Sequence, residues 1–250
     1  MNDERLRGLK HCWDESQSTE DEAAYLAGRV RFGELSPVRL DLAAFLDHAA
    51  ARLAAPTTPA KASPLLAGWV RDLTSWGVQP PLRAGLLVAR MLLAAQIDPP
   101  LPAAFRAQQE DACQRVSDWL ECPCEEHLKH AIQLDSGWDS PPLIKVLATI
   151  ERVGPERIDV SVQEAARHGS DLVGRTLQRL SENAVAAALG PAPALPDDVH
   201  SYPPVATDPA TPAQLAARAA YDQRAAGVGA RVAAQMRRAI TKDLLAWALG

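Results

Sequence analysis

The sequence predicts an all-α fold, and three observations carry that expectation. Its prolines border periodic apolar segments instead of interrupting them, which suits the first helical turn, where a missing N–H costs nothing. Strand-forming residues are scarce, with three Phe and three Tyr in 250 residues. Two S/T-x-x-E signatures, Thr19/Glu22 and Ser161/Glu164, stand ahead of apolar stripes and read as capping boxes.

Taken in order, Leu6, Leu9 and Trp13 suggest a short first helix, and the Thr19 box leads into Tyr25, Leu26 and Val30 with Gly33 as the stop. Ser36-Pro37 reads as cap and first residue ahead of Leu40, Ala44 and Leu46. Ser63-Pro64 opens a face of Leu65, Leu66, Trp69, Val70, Leu73 and Trp76, closed by Gly77. Pro81, Pro102, Pro123 and Ser140-Pro141 open the next four segments, and the Ser161 box opens a stripe that Gly190 stops. Helix starts at 37, 64, 81, 102, 123, 141 and 161 recur at about 20 residues, so a helix pair spans about 40, the period of HEAT-like stacks. No recurrent motif accompanies the spacing, and an irregular helical bundle fits it equally well.

Residues 191–212 carry seven prolines and no apolar periodicity, which reads as a semi-rigid linker. A lesser break falls between Pro56 and Pro64. The organisation is therefore an N-terminal helical segment (1–55), a main helical domain (64–190), the linker (191–212) and a basic amphipathic C-terminal helix (213–250).

The formal charge of −5 argues against a nucleic-acid binder working through general basicity. No apolar run reaches membrane-spanning length, and the start MNDERLRGLK lacks the apolar stretch of a signal peptide. A cytoplasmic location without membrane or nucleic-acid partners is the expectation, and Cys12, Cys113, Cys122 and Cys124 fit thiols in a reducing compartment. There is no phosphate-cradling G-x-x-x-x-G-K-[ST], no G-x-S-x-G elbow and no H-E-x-x-H. Gly227-Val228-Gly229 lies inside a helical stripe with Val232 at the third glycine position, so it is no dinucleotide fingerprint. No catalytic residue and no cofactor are expected.

Three features invite function. Cys122, Cys124, His127 and His130 are metal-competent ligands within nine residues. Crowded on a helix without a second arm, they are not expected to hold a stoichiometric ion; a reactive thiol pair and an ordinary cap are the other readings. Secondly, residues 110–139 hold eight acids against Arg115 and Lys129, whereas 213–250 hold six basic residues against two acids. On a helical wheel Val228, Val232, Met236, Ile240 and Trp247 form an apolar face, and Arg224, Arg231, Arg238 and Lys242 form a stripe on the far side. Apolar packing is expected to hold that helix, with the acidic stretch orienting it and the arginines free for an acidic partner. Thirdly, Trp138 sits in an expected interhelical loop as an anchor or a tucked ring, while Trp69, Trp76 and Trp119 fall on apolar stripes.

Residues 6–54, the tryptophan-centred segment 69–76 and Val116-Ser-Asp-Trp119-Leu120 resemble uncharacterised helical proteins of myxobacteria and related GC-rich bacteria. Segment 64–135 is also similar to helical proteins assigned as immunity proteins of bacterial toxin loci. That resemblance implies an interaction or conflict protein and transfers no functional residue. The expected function is a non-enzymatic protein–protein interaction module, with an immunity or defence-associated adaptor as its specialisation. Its partner-binding residues would be Arg224, Arg231, Arg238, Lys242, Trp247 and Trp138. The competing expectation is a small metal- or thiol-dependent helical enzyme centred on Cys122–His130.

Overall fold

Eleven α-helices and one 3-10 turn, with no strand, make up the described residues of the computed structural model: 2–55, 62–97, 100–135, 141–153, 158–193 and 211–250. Trp138, the Gly154-Pro155 stop, the 56–61 part of the lesser break and linker residues 194–210 lie outside them.

The N-terminal segment folds as four helices, α1 (Asn2–Ser16), α2 (Thr19–Arg31), α3 (Pro37–Phe45) and α4 (Ala49–Ala54). Gln17, at φ 50°, breaks the chain between the first two. The cap of α2 is Ser18, one residue ahead of the expected box: its hydroxyl accepts the Asp21 N–H at 3.1 Å. That places Thr19 inside the first turn, where Glu20, Asp21 and Glu22 face the positive end of the helix dipole. Trp13 stacks on Tyr25, with ring centroids 5.5 Å apart. Ala23, Leu26, Leu35, Leu40, Ala43, Ala44, Ala50 and Ala51 close a small core between α2, α3 and α4.

Helix α5 (Leu66–Asp72) begins two residues after Pro64 and runs into the 3-10 turn Leu73–Trp76. Ser63 is not its cap. The Ser63 side chain folds over the helix so closely that a Cβ on Gly68 would clash with its hydroxyl. The Ser63 amide instead donates to Asp72 Oδ2 at 2.8 Å. Gly77 ends the turn at φ 98°, a left-handed conformation that costs a glycine little. Helices α6 (Gln79–Ala94), α7 (Ala103–Glu121), α8 (Glu125–Ile132) and α9 (Pro142–Val153) follow, each starting within two residues of its marker proline.

Helix α10 (Ile158–Leu189) corrects one expectation. It starts three residues ahead of Ser161, so the S-x-x-E pattern falls inside the helix, where no free N–H needs that cap. The helix ends at Gly190, φ 72°. Helix α11 (Pro212–Leu249) starts one residue ahead of the expected boundary and opens on a capping box, Thr211 with Gln214.

Contacts decide between stack and bundle. A stack would pair each helix mainly with its sequence neighbours. Here α10 packs against α5, α6, α9 and α11, and α11 also packs against α3 and α6. The fold is an irregular bundle around α10. The close α6–α10 crossing depends on Gly169, whose Cβ would come within 3.3 Å of the Pro81 carbonyl oxygen, and Gly85 of α6 leaves room for Leu143 of α9, 2.8 Å from where its Cβ would stand. One core joins Leu42, Phe45, Trp69, Val70, Leu73, Val88 and Val173 to Met236, Ile240, Leu244 and Ala248 of α11. A second, of Leu82, Val116, Trp119, Leu120, Ile144 and Leu147, unites α6, α7, α8 and α9. The C-terminal helix therefore docks on its own chain and ties the N-terminal helices to the main body. Among the described residues no helix is long and apolar enough to cross a membrane.

Candidate functional site

Three surfaces carry chemistry. The first surrounds the start of α8. Cys122 precedes Pro123, whose ring disfavours helical backbone in the residue before it, and Cys122 is accordingly extended at φ −133°, ψ 92°. Cys124 is the extended N-cap of α8, and His127 lies in its first turn. The chain thus curls back on itself, and ligand atoms of Cys122, Cys124 and His127 fall within 4.8 Å of one another. His130 is exposed and outside this set, so the expected four ligands crowded on one helix are replaced by a tighter group of three at its start.

The imidazole is held in place. His127 Nδ1 lies 3.1 Å from the Cys122 carbonyl, which can only accept, and 3.4 Å from Cys124 Sγ. Donation to that carbonyl raises the His127 pKa, aided by the neighbouring Cys124. The backbone N–H of His127 points at Cys124 and lowers its pKa, with a thiol hydrogen bond from Cys122 as the next contribution. The same thiol pair raises Cys122, which keeps the proton. Cys113 belongs elsewhere: it is buried in the second core, where desolvation raises its pKa.

The second surface is the outside of α11. Its seam residues Val228, Met236, Ile240, Leu244 and Ala248 are buried, whereas Arg224, Arg231, Arg238 and Lys242 are exposed. None of these four makes an ion pair among the described residues. Among the described residues no acid of that stretch pairs with the stripe, because α11 lies chiefly on α10, α6 and α3. Trp247 is half-buried: it packs on the first core, and Arg39 and Arg83 lie over its ring at 4.5 and 4.8 Å from the centroid. Burial lowers the Arg83 pKa, opposed by Asp243.

Sequence reasoning missed the third surface, a polar cleft of about 640 Å³ between α9 and α10. Lys145, Thr149 and Arg152 line one wall; Glu164, Arg167, His168, Asp171 and Arg175 line the other. A helical signal was present, since 164, 167, 168, 171 and 175 share one face. Glu164 is its hub, 2.8 Å from Arg167 Nη2 and 3.1 Å from His168 Nε2. Desolvation, reinforced by Arg167 and Lys145 and opposed by Glu164 and Asp171, lowers the His168 pKa.

A lowered histidine pKa means that the folded state favours the neutral ring, so the folded protein binds fewer protons than the unfolded chain. The associated stability is present above the ordinary imidazole pKa of about 6.5 and is lost as pH falls through the lower folded value. Urea unfolding between pH 7.5 and 5 is expected to show this loss, and His168→Gln is expected to flatten it. An unchanged slope in the variant would assign the acid sensitivity to other groups.

Comparison with known proteins gives no match: no family model, curated protein or solved structure aligns significantly with the chain.

Proposed function

We propose that the chain is a non-enzymatic protein-binding module that docks an acidic protein on the outer face of α11. The observation that supports this reading is the division of that helix. One side is spent on the chain's own core, and the other presents Arg224, Arg231, Arg238 and Lys242 to solvent without ion-pair partners among the described residues. Three arginines spaced by seven offer planar, bidentate donors along one line, which suits a row of carboxylates. Such charges steer encounter and fix register more than they add affinity. The resemblance of segment 64–135 to helical immunity proteins specialises the module as an immunity or defence-associated adaptor in the bacterial cytoplasm.

The test compares the native chain with Arg224→Glu/Arg231→Glu/Arg238→Glu after nuclease treatment and co-purification from the source cell without cross-linking. The native chain is expected to retain an acidic protein that salt releases between about 0.1 and 0.5 M. Triple reversal is expected to weaken that complex about a hundredfold, measured with the purified partner. Equal retention by both chains, or retention that the nuclease abolishes, would overturn the reading.

The convergence of Cys122, Cys124 and His127 favours a second reading, a metal- or thiol-dependent helical enzyme built on that cluster.

A further inference from the structure

Two thiols and an imidazole within six residues matter only if their donor atoms can meet at one point. Here they can, for three separate structural reasons. Pro123 forces Cys122 into extended backbone. The N-cap geometry of Cys124, φ −97° and ψ 164°, turns the chain before α8 begins. His127, three residues into the cap frame, has its Nδ1 aimed back toward both cysteines, 3.4 Å from Cys124 Sγ and 3.1 Å from the Cys122 carbonyl.

One of those separations matches an edge that a single ion requires. A tetrahedral zinc with Zn–S of about 2.3 Å and Zn–N of about 2.0–2.1 Å sets its S···N edge at about 3.6 Å and its S···S edge at about 3.8 Å. The observed 3.4 Å between Cys124 Sγ and His127 Nδ1 lies within a few tenths of an ångström of that edge. All three donor atoms already lie within 4.8 Å of one another, a span that one ion can bridge after a small adjustment. The lack of a second arm, which weighed against a closed structural site, leaves instead a three-ligand site with its outer position open. The donor types select the ion: thiolates and a neutral imidazole suit zinc, whereas magnesium and calcium require oxygen.

We propose that Cys122 Sγ, Cys124 Sγ and His127 Nδ1 bind one Zn(II) ion, with water in the outward fourth position. On binding, both thiols enter the complex as thiolates, and the Nδ1 proton is replaced by the metal while Nε2 carries the ring proton. Protons are released to buffer, and the Nδ1 contact to the Cys122 carbonyl is given up. This inference is independent of the α11 surface. It deepens the second reading by naming the cation, and it concerns binding alone.

The full-length chain, reduced and stripped of metal, is titrated with Zn(II) against a chromophoric chelator. One equivalent is expected to bind with a Kd below about 1 μM, with measurable proton release. Cys124→Ser and His127→Ala are each expected to weaken binding more than about a hundredfold, since each removes one of only three ligands. His130→Ala and Cys12→Ser are expected to leave it unchanged, because neither residue belongs to the cluster. Co(II) in place of zinc is expected to give thiolate-to-metal charge-transfer absorption that Cys122→Ser diminishes. The cluster is at the surface, and circular dichroism verifies that each variant folds. Binding weaker than about 10 μM, or binding that survives His127→Ala, would overturn the proposal. Zinc binding at this stoichiometry would support the site whether or not the chain proves to be an enzyme.

Discussion

Deleting residues 212–250 is expected to abolish cooperative unfolding of the remaining chain. Met236, Ile240, Leu244 and Ala248 are fully buried and share a core with Phe45, Trp69, Leu73, Val88 and Val173. Their removal would leave that apolar wall wet, together with the α2–α4 core against which Leu245 and Leu249 pack. A single buried leucine truncated to alanine costs about 2–5 kcal/mol, and a domain has only about 5–15 kcal/mol in total. Loss of the whole seam therefore exceeds the stability of the rest. The truncated chain is expected to bind hydrophobic dye, to aggregate and to melt without a sigmoidal transition. Leu244→Ala in the full chain provides the graded measurement, with an expected loss of about 2–5 kcal/mol in urea unfolding. A truncated chain that remains monomeric and melts at the native temperature would make the helix a passive tail.

Much of this architecture is legible in the sequence, for reasons that individual residues display. Proline is excluded from helix interiors yet tolerated from just before the cap into the first turn, so it bounds a helix start without fixing it. Pro37 is the first residue of α3, Pro81 lies in the first turn of α6, and Pro123 stands one residue ahead of the cap of α8. Gly77 and Gly190 stop their segments because each needs positive φ. A choice between stack and bundle is not legible, because helix spacing is the same in both. What decides it is contact at long range, such as Ser170 Oγ donating to the Ala67 carbonyl at 3.0 Å across 103 residues.

The candidate sites divide along the same line. The outer stripe of α11 is local helical periodicity, and its exposure follows once the opposite face is buried. The Cys122–His127 group is legible in composition, but its geometry is not legible on a helical wheel, because two of its members precede the helix. Pro123 carried the missing signal: the residue before a proline leaves the helical region, and Cys122 does so. The α9–α10 cleft needs two helices packed face to face, which neither stripe specifies alone.

Trp247→Ala is expected to destabilise the chain by about 3 kcal/mol while leaving capture of an acidic partner intact. Expectation from sequence placed this tryptophan among the partner-binding residues, since tryptophan is enriched at binding hot spots. The structure gives it another use. The ring packs on the first core, and guanidinium groups from Arg39 in α3 and Arg83 in α6 lie over it. It thus joins the N-terminal helices, the main body and the C-terminal helix at one point. Truncating a buried tryptophan costs about 3–5 kcal/mol, and half-burial reduces that figure, while each cation–π contact contributes about 0.5–2 kcal/mol. Removing the ring also leaves Arg39 and Arg83, which repel each other, without the face they share. Trp247→Phe keeps an aromatic face and is expected to recover about half of the loss. Stability measured by urea unfolding, set beside partner binding, separates the two roles. Native stability with lost binding would make Trp247 a partner anchor; lost stability with native binding makes it an internal clamp that leaves the Arg224, Arg231 and Arg238 face to the partner.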